Sequence, residues 1–149
     1  MKNVSKKKSI VIKLYRIYHW LWIHHFRFLS KMIYIITRIV FNCNIPPTVM
    51  MGDNVSIGHA TGITIHQNAQ IGNNVIIYQN VTIGRRNGKT TDAPIIGNNC
   101  IIGVGACVLG KIIIGNNVKI GANCVVIDNI DDNCTVVMQK NRVINNNNI

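Results

Sequence analysis

The residue best equipped for chemistry is His59, which sits in residues 56–63, SIGHATGI, among isoleucines and glycines that recur on a fixed beat. It stands two places after Ile57, where neighbouring repeats carry polar corner residues, so its side chain is expected to point outward. Imidazole is mostly neutral near pH 7 and can take up a proton there. A hydroxyl, whose own pKa lies far above 7, needs such an acceptor to act as a nucleophile, and general-base help is worth about 10² to 10⁴ in rate. The competing reading is an exposed corner histidine with no role.

Other reactive side chains point to little. His66 is the one further histidine in the repeats, which is too few for the zinc site of a hydratase built on the same kind of coil. His19, His24 and His25 lie upstream, where a helical i, i+5 pair is poorly placed for a metal, so no metal is expected. The five cysteines form no CxxC pair, and their odd number speaks against a disulfide framework. They read as reduced thiols of a cytoplasmic protein. Cys100 and Cys124 fill small inward slots, and Cys107 points outward with no histidine near it in the pattern, which argues against a catalytic thiol.

What must position His59 is a six-residue repeat. Branched apolar residues, mostly followed by glycine, stand at Ile96, Ile102, Val108, Ile114, Ile120 and Val126. An earlier run has Met51, Ile57 and Ile63, and after a two-residue slip Ile71, Ile77 and Ile83 continue it. The fifth position is small or β-branched (Val55, Thr61, Val75, Val81, Cys100, Ala106, Val118, Cys124), as the inner face of a narrow coil requires. Polar pairs such as Asn73-Asn74, Asn98-Asn99 and Asn116-Asn117 suit tight corners, where asparagine tolerates left-handed backbone. Three hexapeptides make a triangular coil, and the repeats suffice for roughly four coils of a short solenoid. Strands of a sandwich would recur every eight to twelve residues or so instead.

Charge divides the chain. Of a net +11, residues 1–40 supply nine Lys or Arg and no acid, while residues 41–149 hold seven basic and five acidic side chains. Residues 1–41 therefore read as a basic, amphipathic helical segment, 42–143 as the repeat domain and 144–149 as a tail. Basic residues with Trp and Tyr fit a helix lying on anionic lipid at the inner face of the plasma membrane, or equally one packed on the assembly with a solvated basic face. The apolar runs are too short and too charged to span a bilayer, and no cleavable signal is evident. Apolar residues make up 48% of the chain and charged ones only 14%, so a partner subunit is expected to cover part of the surface. No nucleic-acid partner is expected.

The segments HATGITIHQNAQIGNNVIIYQNVTIG and PIIGNNCIIGVGACVLGKIIIGNNVKIGANCVVI, separated by a loop, resemble the serine acetyltransferase group of hexapeptide-repeat acyltransferases over residues 41–143. The resemblance implies a mainly β fold, a left-handed parallel β-helix that assembles into homotrimers. It also implies acetyl-CoA lying in the cleft between prisms and direct transfer of acetyl to a hydroxyl. His59 matches the catalytic base. Cofactor contacts, largely through backbone, fall on Gly84, Gly103, Val104, Lys119 and Ala122, with Arg142 toward the phosphate end. The loop GRRNGKTTDAP is expected to close over the site, with Arg85, Arg86, Lys89 and Asp92 facing the substrate.

Three departures stand out. Asn44 occupies the place of the aspartate that orients the base. The loop ends Asp92-Ala93-Pro94 where the family has Arg-His-Pro. About 40 residues precede the repeats, against a long helical domain in serine acetyltransferases. Together with the entry Ile45-Pro46-Pro47, these place the chain nearer to O-acetyltransferases of capsular or exopolysaccharide pathways. The expected acceptor is thus a hydroxyl of serine or of a surface-polysaccharide sugar. A non-catalytic trimeric scaffold docked at the membrane is the alternative.

Overall fold

The structure is a computed structural model and describes residues 9–86 and 91–139. Lys89, Arg142 and the 144–149 tail lie outside the described residues.

Two helices come first. In α1 (Ile10–Ile23) the Ser9 hydroxyl caps the start by accepting from Val11 N–H. The chain turns at His25, which has φ +68°, into α2 (Arg27–Phe41), which ends on left-handed Asn42. α1 is held to the start of the repeats through buried tyrosines. Tyr15 donates to Val49 O at 2.6 Å and Tyr18 to Ile45 O at 2.7 Å. Arg16 donates to the carbonyls of Met51 and Gly52.

Among the described residues thirteen short strands follow, wound into a parallel β-helix with three faces. β1 (Met50–Met51), β4 (Gln70–Ile71), β7 (Ile95–Ile96) and β10 (Ile113–Ile114) form the first sheet. β2 (Ser56–Ile57), β5 (Ile76–Ile77), β8 (Ile101–Ile102), β11 (Lys119–Ile120) and β13 (Thr135–Val136) form the second. β3 (Thr64–Ile65), β6 (Thr82–Gly84), β9 (Cys107–Leu109) and β12 (Val125–Val126) form the third. Every pairing is parallel, with one coil stacked on the next. The stacked inward columns, such as Ile57-Ile77-Ile102-Ile120, make one continuous core. Cys100 and Cys124 are buried in it as expected, and burial pushes the Cys100 thiol above its ordinary pKa.

The corner between the first and second sheets carries two side-chain ladders. Asn73, Asn98 and Asn116 hand hydrogen bonds from coil to coil and end on Asp132, whose carboxyl the Asn116 nitrogens hold below its usual pKa. Beside them Asn54, Asn74, Asn99, Asn117 and Asn133, all with positive φ, form a second column.

Two sequence expectations need correction. The two-residue slip does not follow Ile63. It falls between Ile57 and Ile65, because Ile65 pairs with Ile83 and fills the strand position. Ile63 then takes the buried fifth place, and Thr61, expected there, is exposed. The cause is local: Gly62 at φ +65° replaces the left-handed asparagine of the ordinary corner and sits two residues later in the repeat. By the beat alone, the thirteen residues from Ile83 to Ile96 read as two repeats plus one residue, but the loop is larger than that. Ile83 and Ile96 occupy successive faces, so the stretch between them replaces a single beat.

Candidate active site

The inserted residues are the corner that carries His59. Gly58 N–H donates to Ile77 O at 3.0 Å and Thr61 N–H to His59 O at 3.0 Å. Gly62 N–H reaches Asn42 O at 3.0 Å, tying the corner to the end of α2, and Asn80 N–H donates to Thr61 O at 3.0 Å. A Cβ at Gly62 would lie 2.1 Å from Asn80 Oδ1, so neither the φ nor the space admits a side chain. Beneath Gly58 lies the Tyr78 ring. The imidazole is exposed, and among the described residues it has no hydrogen-bond partner. One coil down, at the equivalent corner position, Gln79 holds a buried side-chain oxygen with no partner among the described residues.

The structure sorts the sequence-predicted residues. Gly103, Val104 and Ala122 lie on the same edge as His59, at the turns from β8 to β9 and from β11 to β12. Lys119 is exposed on β11, on the neighbouring face. The Gly103 N–H is already committed to Ile120 O at 2.8 Å, and a Cβ there would lie 2.7 Å from Ala122 N. Coil stacking therefore accounts for that glycine, and its amide is not a free donor. Gly84 differs, since a Cβ there would meet nothing closer than 3.7 Å. It sits across the third sheet, on the edge opposite His59. Arg85 and Arg86 are exposed beside it, and Asp92 is half-buried.

Asn44 extends the third sheet by one bridge, opposite Thr64, with its N–H on Ile63 O at 2.7 Å and its carbonyl accepting from Ile65 N–H at 2.8 Å. Its side-chain oxygen accepts from the Tyr34 hydroxyl at 2.5 Å and is not bonded to His59. Asn44 lines an open groove of about 370 Å³ with Tyr34, Arg38, Thr64, His66, Gly84 and Arg85. Two arginines and, among the described residues, no carboxylate line this groove, so its walls favour an anion. Neither arginine has an ion-pair partner among the described residues. Sequence reasoning missed Tyr34, Arg38 and Thr64 as site residues, since nothing in a helical stretch signals that it will meet a strand edge far along the chain.

Three parallel faces wound from six-residue repeats, with a polar corner carrying a lone imidazole, define a hexapeptide-repeat transferase fold. The chain matches the family "Bacterial transferase hexapeptide (six repeats)" over residues 93–128. It is 39% identical over 133 residues to the serine acetyltransferase of Mycobacterium tuberculosis, covering 87% of this chain and 57% of that protein. It is 34% identical over 131 residues to that of Helicobacter pylori, covering 87% and 77%. The crystal structure of Neisseria gonorrhoeae serine acetyltransferase in complex with serine superposes with a TM-score of 0.80 at 35% identity, over 87% of this chain and 53% of that one. The chain belongs to the serine acetyltransferase family. It spans about half the length of the Mycobacterium and Neisseria relatives.

Proposed function

We propose that the protein transfers the acetyl group of acetyl-CoA to the hydroxyl of serine, with His59 as general base. The observation that carries this reading is the inserted corner: Gly58, Gly62 and Asn42 hold out an imidazole that no other group of the described chain engages. The relatives supply the substrate class, since the Neisseria structure was solved with serine bound. In the reaction the serine oxygen attacks the thioester carbonyl while an imidazole nitrogen takes its proton. The C–S bond then breaks, and the imidazolium returns the proton to the departing CoA thiolate.

The cationic groove supports a replacement for the arginine of the family's Arg-His-Pro, which the resemblance assigns to an amino acid's carboxylate. Arg38 and Arg85 take over the hold on the acceptor's carboxylate, because both stand unneutralised around Asn44. Arg86 and Lys89 add steering charge on the same loop, and Asp92 contributes an acceptor for a substrate ammonium. Acetyl-CoA would run down the His59 edge past the small residues Gly103, Val104 and Ala122, with Lys119 and Arg142 toward its phosphates. A homotrimer accounts for the apolar side chains that the faces leave outside, among them Met50, Ile113 and Val125, which are 62%, 56% and 64% exposed.

A sugar hydroxyl is the second reading of the acceptor, and Asp92-Ala93 in place of the family's Arg-His is the observation behind it. Thiol release from acetyl-CoA by the purified chain, measured with serine and with a panel of sugars, separates the two. Release with serine supports the first. Release with a sugar alone replaces it, and release with neither favours a non-catalytic trimeric scaffold.

A further inference from the structure

We propose that α2 is an interfacial helix that seats the protein on anionic lipid. The helix leaves most of its large apolar side chains exposed. Its two fully buried residues, Ser30 and Thr37, are small and polar, with the Ser30 hydroxyl donating to Tyr18 O at 2.6 Å, and Ile33, Tyr34 and Phe41 pack partly buried against the core. Away from the protein it turns Phe28, Met32, Ile35, Ile36, Ile39 and Val40, whose spacing gathers them into one stripe. Phe28, Ile39 and Val40 are 84%, 75% and 65% exposed. A continuous apolar stripe of this kind does not stay in water. Around the hairpin turn Trp20, Ile23 and Phe26 are also exposed.

Charge selects the occupant. Arg27 and Lys31 stand one turn apart along one flank of the stripe, and the described helices carry Lys13 and Arg16 as well and no acidic residue. The residues before them add Lys2, Lys6, Lys7 and Lys8. A second copy of the same face would bring basic flank to basic flank, with no carboxylate in either segment to pair them. A surface of anionic headgroups over acyl chains matches both the stripe and its flank. At 15 residues α2 is about 22 Å long, shorter than the roughly 30 Å of bilayer hydrocarbon. No helix among the described residues is long and apolar enough to cross a membrane. The helix therefore lies in the plane of the interface. The stripe shares no residue with the groove or with the His59 corner, so the inference stands whatever the acceptor proves to be.

Co-sedimentation of the full chain with vesicles tests it. Binding is expected to vesicles of phosphatidylcholine mixed with phosphatidylglycerol, at least about tenfold tighter than to phosphatidylcholine alone, and raised salt should weaken it. The double variant Ile36→Glu, Ile39→Glu is expected to lose about tenfold or more in affinity, with circular dichroism and the thermal midpoint confirming that it folds. Failure of the unmodified chain to bind the mixed vesicles overturns the proposal, as does undiminished binding by a folded double variant. A lipid-independent oligomer of the unmodified chain that this variant dissolves also overturns it, because another copy then covers the stripe.

Discussion

The Tyr34 hydroxyl donates to Asn44 Oδ1 at 2.5 Å, joining α2 to the strand position that we propose stands in for the orienting aspartate. The amide thus has a partner of its own and leaves the imidazole without a charge to lean on. An acid at this place would stabilise the imidazolium formed as His59 takes the proton. Losing the orienting carboxylate of a comparable triad costs about 10⁴ in rate. Asn44→Asp is therefore expected to raise kcat by at least about tenfold, read as thiol release at saturating substrates. An unchanged or lower kcat in a folded variant would show that the position does not orient the base.

Arg38 and Arg85 share the groove with Asn44 and, among the described residues, have no acid to neutralise them. Arg38→Gln and Arg85→Gln should each raise KM for serine about tenfold, while KM for acetyl-CoA stays within twofold or so. Equal effects on both substrates would assign the arginines to general steering instead.

Gly62 and Gly84 make opposite forecasts. Gly62→Ala forces a Cβ against Asn80 at a left-handed φ, and should cost about 1 to 3 kcal/mol of stability as well as activity. Gly84→Ala meets nothing closer than 3.7 Å and should leave the melting temperature nearly unchanged. If Gly84 borders a bound substrate, the added methyl raises that substrate's KM. Paired thermal melts and steady-state kinetics separate the two behaviours.

Tyr15 and Tyr18 give the fold an alkaline limit. Burial pushes the Tyr15 hydroxyl up to about 12, and burial followed by the neighbouring tyrosines raises Tyr18 further. For groups raised on folding, the stability they confer is whole below the unfolded pKa near 10 and falls away as pH climbs toward the folded value. The thermal midpoint should hold to about pH 9 and then drop steeply between roughly 10 and 12. Tyr15→Phe should shed part of this slope and lose about 1 kcal/mol at neutral pH for the hydrogen bond to Val49 O.

The columns of the solenoid were legible in the sequence because each inward position repeats a branched residue every six places. Its one irregular corner was not. Ile63 and Ile65 are both branched, so two registers satisfy the pattern equally, and only the bond from Gly62 to Asn42 with the pairing of Ile65 to Ile83 decides between them. His59 itself was visible as a polar interruption. The groove was not, because Tyr34 and Arg38 belong to a helix, and a helical pattern does not say which strand edge its side chains will meet.

The most direct test concerns His59 alone. With serine and acetyl-CoA, His59→Ala should lower kcat by about 10² to 10⁴ while KM for acetyl-CoA and the thermal midpoint change little. A folded His59→Ala chain that releases thiol as fast as the unmodified one, with serine or any acceptor that works, would contradict the account.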